Sequence, residues 1–146
     1  MAGRSVFSSF MNCIFCKIVK GEIDSAKIYE DENTFAFLDI NPLTKGHCLI
    51  IPKEHFENIF DIDAKILEKI IITAKDVSEK IKKSLKADGL NLLQSNGSKA
   101  GQEIPHFHLH IIPRYKNDGV VGNWGHINPK KTNFEELKKL AKEIKN

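Results

Sequence analysis

No stretch of the 146-residue chain approaches the ~20 consecutive apolar residues that a membrane-spanning helix requires. A helical membrane protein is therefore excluded. Charge of one sign is also scarce: 22 Lys and Arg stand against 19 Asp and Glu, a formal net charge of +3. That excess is too small to argue for a nucleic-acid partner. The pairs Lys82-Lys83 and Lys138-Lys139 fall inside amphipathic patterns and read as solvated helix faces. Residues 1–11 hold one Arg and the spaced aromatics Phe7 and Phe10, without the apolar core of a secretory signal. They read as a flexible extension, with a weak transit peptide as the alternative. Cysteine is limited to three residues. With no signal, the expected compartment is reducing, the cytoplasm or also the nucleus, where metal binding is favoured over disulfides. No internal repeat or low-complexity tract is evident, and the length suits a single domain, 12–146, with one core.

The pattern of what is present predicts an α+β fold. Asn12 is placed to cap a short helix over Cys13 to Val19, which Gly21 would end. Lys27 to Tyr29 and Thr34 to Asp39 read as strands around the turn residues Asp31, Glu32 and Asn33. Gly46 to Pro52 is a third strand, with His47, Leu49 and Ile51 on one face and Cys48 and Ile50 on the other. From Asp63 to Leu85, apolar residues including Leu67, Ile70, Ala74, Val77 and Ile81 recur at helical spacing. Leu90 to Gln94 and His106 to Ile112 are the fourth and fifth strands, the last stopped by Pro113. Ser95 to Gln102 and Tyr115 to Lys131 read as loops. Asn133 with Glu136 resembles a capping box for a final helix whose stripe is Phe134, Leu137, Leu140 and Ile144. His126 lies outside every motif and reads as a surface residue.

The segment His106-Phe107-His108-Leu109-His110-Ile111-Ile112 carries the chemistry. On a strand, side chains alternate, so the three histidines share a face about 6.6 Å apart, from a rise of ~3.3 Å per residue. Imidazole is a nucleophile and proton shuttle near neutral pH. Such a row suits attack on phosphorus: His106 anchors, His108 attacks, and His110 donates to a phosphate oxygen. Two alternatives stand beside this, a three-histidine metal centre and half-exposed strand histidines without a task. Cys13-Ile14-Phe15-Cys16 has the spacing of half a tetrahedral zinc site, with His55 and His106 available to complete it. The same pair also fits a redox motif, though no strand precedes it as that setting requires, or two small buried residues. Asp39 can accept from two adjacent hydroxyls or form a turn before Pro42. Asn96-Gly97-Ser98 can present backbone N–H groups to a phosphate or serve as an ordinary turn.

Together these blocks resemble the histidine-triad superfamily, in its zinc-containing microbial Hint branch. The resemblance is carried by the His-φ-His-φ-His-φ-φ run with Gly101-Gln102 before it and Pro113-Arg114 after it, where φ is apolar. Phe37-Leu38-Asp39-Ile40-Asn41-Pro42, the block from Gly46 to His55, and Cys13-Ile14-Phe15-Cys16-Lys17-Ile18 add to it, so it spans Asn12 to Arg114. It implies a five-stranded antiparallel sheet and a homodimer whose sheets join into one. It implies binding of purine nucleotides such as AMP and GMP, and hydrolysis of nucleoside phosphoramidates through a nucleotidyl-histidine at His108. By the match, Asp39 would hold the ribose hydroxyls, and Phe37, Leu38 and Ile40, with Phe15, the base. Asn96, Gly101, Gln102, Glu103 through its backbone N–H, and His110 would meet the phosphate, with His47 supporting the triad. Structural zinc would be held by Cys13, Cys16, His55 and His106. Two departures stand out: Glu103 replaces a Ser common in the Hint branch, and the tail carrying Trp124 differs from the short animal ending. A nucleotide-binding regulatory module and a dinucleoside polyphosphate hydrolase of the Fhit-like branch are the competing functions.

Overall fold

Short runs of aromatic and β-branched residues pair into one sheet, in a computed structural model that describes residues 12–120 and 132–145. The strands are β1 (Lys27–Glu30), β2 (Thr34–Leu38), β3 (Cys48–Pro52), β4 (Gly89–Leu93) and β5 (Leu109–Arg114). Their order is β1-β2-β3-β5-β4, and every neighbouring pair is antiparallel. Three helices accompany them among the described residues: α1 (Ile14–Val19), α2 (Ala64–Leu85) and α3 (Phe134–Lys145). A 3₁₀ turn, Ser98–Ala100, lies in the loop between β4 and β5. No helix among the described residues is long and apolar enough to cross a membrane. The extension 1–11, Trp124 and His126 lie outside the described residues.

Alternation along the strands divides the molecule into two apolar layers. Ala36, Leu38, Cys48, Ile50, Phe107, Leu109 and Ile111 face α2 and α3, whose stripes Ile70, Ala74, Val77, Ile81 and Leu137, Ala141, Ile144 bury against them. On the opposite face, Phe35, Phe37, Leu49 and Ile51 meet α1 through Phe15, Cys16 and Ile18. The site residues lie on this second face. A hydroxyl pair, Thr34 with Thr73 at 2.9 Å, ties β2 to α2. Gly46 is required where the chain enters β3. Its φ is +90°, and a Cβ there would meet Leu85 Cδ1 at 2.5 Å.

Several boundaries differ from those expected. Cys13, not Asn12, caps α1, its thiolate or thiol sulfur accepting from the Cys16 N–H at 3.3 Å. Asp63 is the extended residue that precedes α2, and Gly21, at φ +81°, turns the chain away from α1. Asn133 caps α3 by accepting from the Glu136 N–H at 2.9 Å, half of the expected reciprocal box. The largest difference is in β5, which starts at Leu109 and runs through Pro113. Ahead of it, the Phe107 N–H leaves the ladder and donates to Phe56 O at 2.7 Å. Pro113 pairs with Leu90 without costing a ladder bond. Its carbonyl accepts from Thr44 Oγ1 at 2.6 Å, so its ring nitrogen faces that same side, beyond the last β3 partner, Cys48.

Candidate active site and metal cluster

Although His106 and His108 precede the regular part of β5, the alternation survives. Phe107 is buried on the helix side, while His106 and His108 turn to the other face with His110. Phe15 of α1 packs edge-on against both His106 and His108, at ring distances of 5.7 and 5.3 Å, and against Phe37 at 5.5 Å.

Backbone groups decide which nitrogen of each ring carries the proton. His108 Nδ1 lies 2.8 Å from the His106 carbonyl. A carbonyl only accepts, so Nδ1 is the protonated nitrogen and Nε2 keeps its lone pair. His47 is set in the opposite sense. Its Nδ1 accepts from the Leu43 N–H at 3.0 Å, so its Nε2–H donates to His110 Nδ1 at 2.9 Å. His110 is thereby left with its proton on Nε2. A bare nucleophilic nitrogen and an N–H donor thus stand on adjacent rings, His108 and His110, with centroids 5.0 Å apart.

Burial holds these rings neutral. It pushes His47 down to about 4, with the neighbouring His108 adding to the effect, and His110 down to about 3, with His108 and His47 beside it. Burial also lowers His108, while the His106 carbonyl and the charge of Glu103 pull it back up.

Cys13, Cys16, His55 and His106 form the second cluster, with four ligand atoms all within 4.8 Å of one another. Cys13 Sγ is 3.2 Å and Cys16 Sγ 3.6 Å from His106 Nδ1, and Cys16 Sγ is 3.3 Å from His55 Nδ1. Bonds of 2.0–2.3 Å to a tetrahedral ion imply ligand spacings of about 3.3–3.8 Å, a range that holds two of these distances and that the 3.2 Å one falls just short of. His106 Nε2–H donates to Pro52 O at 2.9 Å, which turns its Nδ1 lone pair toward the sulfurs. Burial and the adjacent Cys13 push the Cys16 thiol up to about 12, so its thiolate requires a cation beside it. The residues therefore fit a metal ion held by two thiolates and two imidazoles. No disulfide joins the cysteines, and Cys48 is a buried thiol on the other face of the sheet.

Asp39 follows β2 and is held by the Asn41 N–H on Oδ1 at 2.9 Å, with Oδ2 3.7 Å from His47 Nε2. Burial raises its pKa, the Asn41 N–H opposes that, and the charge of Glu103 adds to it. Ile40 is 59% exposed beside it. Three expected contacts change. Leu38 does not join the Phe37 side. Strand alternation sends it into the α2 layer, 1% exposed. Gln102 spends its amide within the loops, accepting from the Gly97 N–H at 2.8 Å and donating to Glu57 O at 2.7 Å and Ile104 O at 3.1 Å. Asn96 likewise pairs with Gln94 and accepts from the Ile59 N–H at 2.7 Å. Both side chains build the loop, and the Gly97 N–H is taken. Gly101 has a φ of +95° in the turn leading to Glu103, which is exposed. The groups missed from the sequence are the Leu43 N–H and the carbonyls of Pro52 and His106, which no side-chain pattern reveals.

The family model described as HIT domain matches residues 20–117. Protein hit of Bacillus subtilis is 48% identical over 114 residues, 77% of this chain and 79% of its own. Adenosine 5'-monophosphoramidase HNT1 of Saccharomyces cerevisiae is 41% identical over 133 residues, 90% of this chain and 80% of its own. A crystal structure of a Zn-bound histidine triad family protein from Mycobacterium smegmatis superposes with a TM-score of 0.78 at 31% identity, covering 92% of this chain and 91% of that one.

Proposed function

We propose, from the premise that this chain belongs to the HIT-domain family, that it is a purine nucleoside monophosphate-binding hydrolase. Its reaction would cleave the α-phosphate bond of nucleoside phosphoramidates or related conjugates through a nucleotidyl-histidine. The observation that carries this reading is the free Nε2 of His108, left bare because Nδ1 donates to the His106 carbonyl. The activity named for the yeast relative, adenosine 5'-monophosphoramidase, agrees with it.

In the first step, His108 Nε2 bonds to phosphorus while the P–N bond to the leaving amine breaks. The amine departs with the electron pair and takes up one proton from solvent, which regains it when water attacks in the second step. His110 Nε2–H, oriented through His47 and Leu43, donates to a non-bridging oxygen where charge develops. Water then displaces His108 from phosphorus and releases the monophosphate. Phe15, Phe37 and Ile40 would border the base and Asp39 would accept from the ribose hydroxyls. Gly101 and the Glu103 N–H would border the phosphate. The metal of the Cys13–Cys16–His55–His106 cluster would be a structural zinc that fixes His106, and with it the carbonyl that orients His108.

A homodimer with continuous sheets accompanies this reading. It is supported by the edge position of β4 and by the exposed Leu92, Ile72 and Phe60. Reduced cysteines fit a cytoplasmic setting. The rival reading, a binding module with little turnover, is favoured by the commitment of Gln102 and Asn96 to the loop rather than to a ligand. Hydrolysis of adenosine 5'-phosphoramidate by wild type and His108→Ala, with zinc content measured on both, separates them. Turnover lost by at least about 10³-fold in the variant, with zinc retained, supports the nucleophile. Tight AMP binding without turnover in wild type overturns hydrolysis, and turnover retained in the variant overturns the role of His108.

A further inference from the structure

The charge balance of the cleft is unusual for a site that receives a phosphate. His47 and His110 are desolvated by burial, which favours their neutral form and leaves neither ring to offset an anion. Asp39 has an ion-pair contact only with His47 among the described residues. Glu103 is exposed and has no hydrogen-bond or ion-pair partner among the described residues. Its place is nevertheless fixed. Gln102 before it is pinned to Gly97, Glu57 and Ile104, and Ile104 after it packs on the layer that holds Phe15 and Phe37. From there its charge reaches both Asp39 and His108. Two carboxylates, Asp39 and Glu103, therefore border the cleft, and they oppose an anionic substrate unless that substrate brings positive charge of its own.

We propose that Glu103 is a specificity-determining residue that selects leaving amines carrying a second, ammonium charge and disfavours anionic leaving groups. This inference rests on the phosphoramidate reading above. There the base and ribose occupy the Phe37–Asp39 side, and in-line attack by His108 puts the leaving group on the far side of phosphorus. Asp39 is engaged by the ribose, so Glu103 is the carboxylate left to meet what departs. A contact made equally before and during the reaction lowers KM and leaves kcat alone. The preference belongs in KM and weakens with salt, because Glu103 is open to solvent.

The test uses the zinc-loaded full chain and three adenosine 5'-phosphoramidates of equal length. They are made from 1,5-diaminopentane, 5-aminopentanol and 5-aminopentanoate, so the tail ends in ammonium, hydroxyl or carboxylate. In wild type, kcat/KM for the ammonium substrate should exceed that for the hydroxyl substrate by about 3- to 10-fold at low salt, and the carboxylate substrate should be slowest. Glu103→Gln should bring the ammonium-to-hydroxyl ratio close to 1, and Glu103→Lys should invert the order of ammonium and carboxylate. A wild-type ratio near 1, or one that Glu103→Gln leaves intact, overturns the inference while the hydrolase reading stands. If wild type binds AMP but turns over none of the three substrates, the hydrolase reading fails and takes this inference with it.

Discussion

Replacing His47 tests the proton ordering on which the proposed chemistry depends. His47 accepts from the Leu43 N–H at 3.0 Å and donates to His110 Nδ1 at 2.9 Å, and it is 3% exposed. In His47→Leu, the Leu43 N–H loses its acceptor and His110 is free to carry its proton on Nδ1, away from the phosphate. The lost donor is one hydrogen bond to a charged group in the transition state, worth about 1.5–3 kcal/mol. That predicts a fall of about 10- to 150-fold in kcat/KM for adenosine 5'-phosphoramidate. Both rings titrate well below pH 6, His47 at about 4 and His110 at about 3, so both are neutral and the loss should be the same across pH 6–8. His47→Gln places an amide nitrogen near the former Nε2 position and should recover most of the rate. Nitrogen-15 NMR of the histidine rings reads the mechanism directly: His110 should be protonated on Nε2 in wild type and on a mixture of nitrogens in His47→Leu. A folded His47→Leu protein that keeps kcat/KM within about threefold, or an unchanged His110 tautomer, would refute the ordering.

Other consequences are as concrete. Cys16→Ser, or chelation of the wild type, should remove the proposed zinc from the Cys13–Cys16–His55–His106 cluster. A site filled at a thousand times its Kd contributes about 4 kcal/mol, so Tm should fall by roughly 8–16 °C. A metal-depleted protein with unchanged Tm and kcat/KM would show that the cluster neither stabilises the fold nor orders His108. Acid should destabilise the fold through His47 and His110, whose folded values of about 4 and about 3 lie below the unfolded value of 6.5. Their contribution is complete above about pH 6.5 and is lost as pH falls toward 4, because the unfolded chain takes protons that the native chain refuses. For His47 the effect is on the order of 3 kcal/mol. Urea titrations from pH 7.5 to 4.5 in excess zinc should therefore give a shallower slope for His47→Gln, and equal slopes would remove His47 as the cause. Gly46→Ala forces a Cβ onto a residue at φ +90° and to within 2.5 Å of Leu85 Cδ1. Backbone strain costs about 1–2 kcal/mol, and the Leu85 side-chain tip must shift as well. A Tm within about 2 °C of wild type would show that the entry to β3 adapts more easily than its geometry suggests.

Period and spacing are properties of the sequence, and what depends on them was legible there. Three histidines in alternation with Phe107, Leu109 and Ile111 can only divide between two faces, and they do so even where His106 and His108 precede the ladder. The stripe of α2 and the capping of α3 by Asn133 follow from helical spacing and local hydrogen bonding in the same way. Leu38 was expected beside the base with Phe37, but the same alternation, applied through Phe35 and Phe37, sends its side chain to the α2 layer. Cys13 and Cys16 have the spacing of half a tetrahedral ligand set, but only the fold brought His55 and His106 to them, from more than thirty residues away, in a cluster able to hold a metal.

Other features have no trace in residue identity. The protons on His108, His47 and His110 are set by a carbonyl and an amide of the main chain, groups that every residue carries and that only tertiary placement makes specific. Pro113 looked like a strand stop because its missing N–H is a local fact. That the nitrogen faces a side with no partner to lose is a fact of sheet register. Gln102 and Asn96 looked like phosphate ligands by position, yet nearby loop groups satisfy their amides first. The sequence determined which side chains are present and which faces they share. The tertiary structure decided their protonation, their partners and which of them remain free to meet a ligand, because those depend on backbone groups brought together across distant parts of the chain.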